Sequence, residues 1–138
     1  MAIASWNWTF KCYCKASNGA QGADVIEEWY KLQDEEVQAE MDAILEFFQY
    51  RPNMEWRRPK FDTLQGKTCT GLREIRISAA SGEYRILGYF GPARQEFTLL
   101  IGFHKKRDSD TEHACRTAQV RKQEVENDGT RARRCNFP

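Results

Sequence analysis

The chain has 138 residues, of which 41% are hydrophobic and 30% charged, and a formal net charge of +1. This length suits one domain with a single core, and the composition excludes disordered, collagen-like and disulfide-dense miniature classes. No apolar run approaches the roughly 20 residues that span a bilayer, and "MAIASWNWTF" lacks the basic start and apolar stretch of a signal peptide, so a cytoplasmic protein without membrane association is expected.

The stretch "SWNWTFKCYC" alternates, with Trp6, Trp8, Phe10, Cys12 and Cys14 on one side, which is the period of a half-buried strand. The five cysteines (Cys12, Cys14, Cys69, Cys115 and Cys135) are irregularly spaced and include no C-x-x-C pair. Buried thiols are expected at Cys12 and Cys14, and neither a structural metal site nor a disulfide framework is expected. After a loop at "KASNGAQG", Asp24 is placed to cap a helix, with Glu27 as its reciprocal partner and Val25, Trp29 and Leu32 as the buried stripe. A second helix is predicted from about Asp34 to Tyr50, with Val37, Met41, Ile44, Leu45 and Phe48 at helical spacing and Pro52 ending it.

A long basic connection follows, and connections of this length inside a compact domain are often functional. Strands are predicted near Leu72–Ser78, Glu83–Phe90 and Glu96–Phe103, joined by hairpin turns at "AASG" and "GPAR". A last helix is predicted from Thr111 to about residue 127, and the tail 129–138 is expected to be mobile. The order strand-helix-helix-strand-strand-strand-helix predicts one α+β domain over residues 1–128, with a mostly antiparallel four-stranded sheet packed on helices. Charge is segregated: residues 24–55 are acidic apart from Lys31 and Arg51, whereas residues 56–107 are basic, an asymmetry that permits an anionic ligand.

Parity in the strands sharpens this reading. A first turn centred between Ala80 and Ser81 pairs Ile77 with Tyr84 and Arg76 with Arg85. A second, centred between Pro92 and Ala93, pairs Tyr89 with Glu96 and Leu87 with Thr98. One face then carries Ile75, Ile77, Tyr84, Ile86, Phe90, Phe97, Leu99, Ile101 and Phe103. The other carries Glu74, Arg76, Glu83, Arg85, Tyr89, Glu96, Thr98 and His104. A one-residue slip would bury the arginines, so the core selects this register. Arg76 and Arg85 then face each other, where like charges repel. Two readings of the pair stand. Glu74 and Glu83 form a surface ion-pair ladder with it, worth only about 0–1 kcal/mol per exposed pair, or the two guanidinium forks clamp a phosphate. His104, Lys105, Lys106 and Arg107, which end the neighbouring strand, favour an anion site.

The segments "LQG" (64–66), "GLREIRI" (71–77), "EYRILGYF" (83–90) and "LLIGFHKKRDSDTEHACRTAQVR" (99–121) resemble the RelE superfamily of bacterial type II toxins, specifically its phage-derived, HigB-like branch. The resembling pattern is L-x-G, then E-x-R, then Y-R, then F-x-K-K, then a helix with A-x-x-R, here Ala118 and Arg121. The resemblance implies a metal- and cofactor-independent endoribonuclease, an mRNA interferase that cuts ribosome-bound message and is silenced by a cognate antitoxin, expected to be a helix-turn-helix protein. In such chemistry the ribose 2′-hydroxyl attacks the adjacent phosphate. Arg76 and Arg85 would bind that phosphate, and Lys105 and Lys106 would contact it or transfer protons. His104 is the candidate acid or base by its intrinsic pKa, and Glu74 a base or an orienter of Arg76. Lys60, Lys67, Arg73 and Arg107 are candidate RNA contacts, with Tyr89 as a stacking platform. The sequence departs from the family pattern at Asp108 and Asp110. A non-catalytic or degenerate RelE- or ParE-like binding protein, for example a topoisomerase inhibitor, is the alternative.

Overall fold

The computed structural model describes residues 6–16 and 22–137, and the loop predicted at 15–22 falls largely outside them. The first alternating segment forms β1 (Thr9–Tyr13), with Trp8, Cys12 and Cys14 buried as the period requires. Tyr13 on the opposite face is buried as well, because β1 is an interior strand with helices over both faces.

Helix α1 (Val25–Lys31) is capped by Asp24, whose carboxylate accepts the Glu27 backbone N–H at 2.9 Å. The Glu27 side chain pairs instead with Lys31 at 3.2 Å. Ile26 is buried, Trp29 and Tyr30 pack partly buried against the same cluster, and Val25 packs partly buried against the second cluster, so of the predicted stripe only Leu32 fails. The helix stops at Lys31, so Leu32 leaves its phase and is 83% exposed. Helix α2 (Glu35–Gln49) follows its pattern: Asp34 caps it through the Val37 N–H at 2.9 Å, and Val37, Met41, Ile44, Leu45 and Phe48 are all buried. The connection beyond Pro52 is anchored by Trp56, a buried ring whose Nε1–H donates to the Phe48 carbonyl at 3.0 Å.

The remaining strands are β2 (Phe61–Thr63), β3 (Arg73–Ala79), β4 (Gly82–Phe90), β5 (Glu96–Lys105) and β6 (Ala132–Arg134), with α3 (Asp108–Asn127) between the last two. The sheet has six strands, not four, in the order β2-β3-β4-β5-β1-β6. It is mostly antiparallel, and β1 runs parallel to β5. The two extra strands have three residues each, too few for a periodic signal. Helices α1 and α2 cover one face over a cluster that includes Ile75, Ile77, Tyr84, Ile86, Phe97 and Leu99. Helix α3 covers β4 and β5 on the other face, over Leu87, Tyr89 and Leu100.

The β3–β4 hairpin has the predicted register throughout, including Arg76 opposite Arg85. The β4–β5 pairing differs. Tyr89 lies opposite Thr98, not Glu96, and Leu87 lies opposite Ile101, not Thr98. The turn is centred one residue later than expected, which lengthens the connection by two residues and keeps strand parity, and a bulge beside Leu87 and Gly88 inserts Leu100 as an extra residue in β5. Gly88 suits this crossing because a Cβ there would collide with the Thr98 carbonyl and the Phe97 ring. Arg121 donates to the Leu100 carbonyl at 2.8 Å, and fully buried Ala118 lets α3 approach closely, so the A-x-x-R motif stabilises the bulge. An inserted residue reverses strand parity beyond it. Ile101 and Phe103 therefore pack on the α3 side, and His104 turns to the α1–α2 side, the reverse of their predicted faces.

Helix α3 begins three residues before the predicted Thr111. Asp110 accepts the backbone N–H groups of Lys106 and Arg107 at 2.8 and 2.9 Å, which fixes the first turn and holds its carboxyl below the usual range. The tail, expected to be mobile, is paired: β6 extends the sheet beside β1, and Phe137 stacks on Tyr30 with ring centroids 4.6 Å apart. Against the expectation of no disulfide framework there are two disulfides, Cys12–Cys135 and Cys69–Cys115, so Cys12 is not the expected free thiol, while Cys14 is a buried thiol. Among the described residues, no helix is long and apolar enough to cross a membrane.

Candidate functional site

Asp62 on β2, Glu74, Arg76 and Ser78 on β3, and Glu83 and Arg85 on β4 share the α3 face of the sheet, because cross-strand partners point the same way. Glu74 is the centre of this group. Its side chain is 4% exposed and lies between the two arginines, with Arg76 Nε at 2.8 Å from one oxygen and Arg85 Nε at 3.8 Å from the other. Arg76 also reaches Asp62 at 3.1 Å, and Asp62 accepts from Arg58 at 2.8 Å. Arg85 Nη1 donates to Glu83 at 3.3 Å and to the Tyr84 carbonyl at 3.0 Å, and Ser78 donates to Glu83 at 2.8 Å.

The sequence placed the two arginines on one face, and they lie there. They are not uncompensated. Three guanidinium groups (Arg58, Arg76, Arg85) meet three carboxylates (Asp62, Glu74, Glu83), so the network is close to neutral. Burial alone would raise the Asp62 pKa, but hydrogen bonds from Arg58 and the Thr63 N–H, with the charges of Arg58 and Arg76, hold it below the usual range. Its share of stability is complete above the ordinary carboxylate pKa and is lost as pH falls through the lowered one.

Donor capacity nevertheless remains. Arg76 leaves part of its fork free, with a side chain 30% exposed. Arg85 is almost buried, and among the described residues its Nε–H has no hydrogen-bond partner. Lys105 lies opposite Glu83 in register, on the same face, and among the described residues its ammonium group meets a carboxylate only at 3.8 Å, on exposed Asp108.

Other predicted site residues are dispersed. His104 stacks on Tyr84 with ring centroids 4.5 Å apart and overlies Gly82, so the sheet separates it from Arg76 and Arg85. Arg73 lies over the Phe90 ring on that same far face. Tyr89 is buried under α3, with Lys122 above its ring, and burial together with the Glu126 charge holds its phenol well above the usual range. Lys60 is paired with Glu40 of α2 at 2.6 Å. Lys67, Lys106 and Arg107 are exposed on the turn before β3 and at the start of α3. Asp62 was not anticipated, since nothing in a three-residue strand signals which neighbour it will face.

The fold is an α+β domain whose strand pair presents an arginine–glutamate network. Residues 28–123 match the model of the family described as phage-derived protein, Gp49-like (DUF891). The match covers well over half of the chain, which therefore belongs to this family. No curated protein gives a match.

Proposed function

We propose that this chain is a RelE-like toxin that cleaves RNA, with Arg85 and Arg76 binding the scissile phosphate. The Gp49-like family is associated with RelE-like, toxin-like proteins, which supports the class. The observation that carries the reading is the buried Arg85 Nε–H, which makes no hydrogen bond among the described residues and meets Glu74 only at 3.8 Å. Leaving such a donor unsatisfied costs about 1–3 kcal/mol, more when it is charged. A phosphate oxygen delivered to it removes that cost, and the exposed part of the Arg76 fork supplies further donors.

The roles divide by accessibility. Glu74, buried between the arginines, positions them and does not reach substrate. Glu83 has a side chain 49% exposed on the same face and is the carboxylate that a 2′-hydroxyl can approach, so it serves as base. The 2′-oxygen bonds to phosphorus, the bond to the 5′-oxygen breaks, and Lys105 protonates the departing oxygen. Lys106, Arg107 and Lys67 contact flanking phosphates. His104 takes no direct part at this phosphate. A cognate antitoxin, and ribosome-bound message as substrate, belong to the same reading.

A second reading has its own support. Because Glu74, Asp62 and Glu83 already occupy much of the arginine forks, a non-catalytic binding protein on the same fold fits the near-neutral network. Incubating purified protein with RNA, with and without ribosomes, separates the two. The catalytic reading expects new ends carrying 2′,3′-cyclic phosphate and 5′-hydroxyl groups. Intact RNA in both reactions would establish the binding reading instead.

A further inference from the structure

Between β5 and the first turns of α3 lies an open cleft of about 250 Å³, lined by Ile101, Phe103, His104, Asp110, His113, Ala114 and Thr117. The Leu100 insertion creates it by turning Phe103 to the α3 side. Phe103 is only partly buried there, although Leu87 and Ala114 in the same cluster are buried. Its cross-strand partner is Arg85. Directly opposed residues hold their Cβ atoms about 4.5–5.5 Å apart, so the open ring adjoins the proposed phosphate position.

From this juxtaposition we infer that the cleft is a nucleobase subsite, in which Phe103 stacks on a single-stranded base beside the phosphate held by Arg85. The inference rests on the RNA reading above and deepens it. Phosphate contacts carry no sequence information, whereas unstacked bases are read by aromatic faces and by hydrogen bonds to their edges. His113 and Thr117 project such groups from α3 into the same cleft, while Lys105, Lys106 and Arg107 at its end attract the backbone. Tyr89, the aromatic expected to stack, is covered by α3 and leaves this task to Phe103.

A single-stranded 2′-O-methyl octanucleotide containing 2-aminopurine, which cannot undergo 2′-hydroxyl attack, tests the subsite by fluorescence. Binding to the unaltered protein is expected to quench the probe. Phe103→Leu, which keeps apolar volume and loses the π face, should weaken binding by about 5- to 150-fold and abolish the quench. Phe103→Tyr should retain both. Salt-sensitive binding without quenching, or equal affinity of folded Phe103→Leu, overturns the base subsite and leaves the phosphate site standing. No binding of the octanucleotide at all overturns both. The quench with unaltered protein decides the matter even if the leucine variant fails to fold.

Discussion

Arg85→Lys should lower RNA cleavage by at least about 10²-fold while leaving the protein folded. The substitution keeps a cation beside buried Glu74, so the carboxylate is not stranded. It removes the planar fork and the Nε–H that makes no hydrogen bond, the donor assigned to the phosphate. Arg85→Ala is a different experiment, because it leaves Glu74 with one guanidinium and should destabilise the fold by about 3–5 kcal/mol. Comparing cleavage rates with thermal unfolding of both variants separates the two effects. A lysine variant that melts normally and cleaves at the original rate would remove Arg85 from the mechanism.

The second large effect concerns stability. Cys12–Cys135 closes a loop with a sequence separation of 123, and Cys69–Cys115 one of 46. Loops of these lengths give a chain-entropy stabilisation of about 4–5 kcal/mol each, and measured losses on removing a native disulfide are about 2–5 kcal/mol. Cys12→Ala with Cys135→Ala should therefore lower Tm by roughly 10 °C for a domain of this size, and loosen β6 and the Phe137–Tyr30 stack. Cys69→Ala with Cys115→Ala should instead free the turn before β3 from α3. Cys14 is a poor agent of exchange, since burial raises its thiol pKa and leaves little thiolate. Disulfides persist in oxidising surroundings, so the redox state of the compartment sets how much of this stability is realised. Equal melting of oxidised and reduced protein would refute the assignment.

Local patterns were legible wherever the core enforced them. The α2 stripe and the β3–β4 register follow from periodicity, because a slip would expose Ile75 and Ile77 and bury charge. Reading stopped at the Leu100 insertion. A bulge leaves no mark in hydrophobic alternation, yet it reversed Phe103 and His104 and changed which side chains can meet. The disulfides were hidden because their partners are distant in sequence and one lies beside a three-residue strand. The arginine pair was found, but not its occupancy: parity places Glu74 on the same face without showing that it sinks between the two forks. Asp108 and Asp110, read as departures from the family pattern, divide between an exposed contact to Lys105 and the capping of α3.

Phosphate binding between β3 and β4 requires the Arg85 Nε–H to exchange its 3.8 Å contact with Glu74 for a phosphate oxygen, and arginine side-chain NMR observes that proton directly. During titration with a non-cleavable 2′-O-methyl oligonucleotide, the Arg85 Nε–H resonance should shift downfield and exchange more slowly with water as it acquires a phosphate oxygen. Responses confined to the exposed cations Lys106 and Arg107, with Arg85 unmoved at saturation, would contradict the proposal that phosphate binds between β3 and β4.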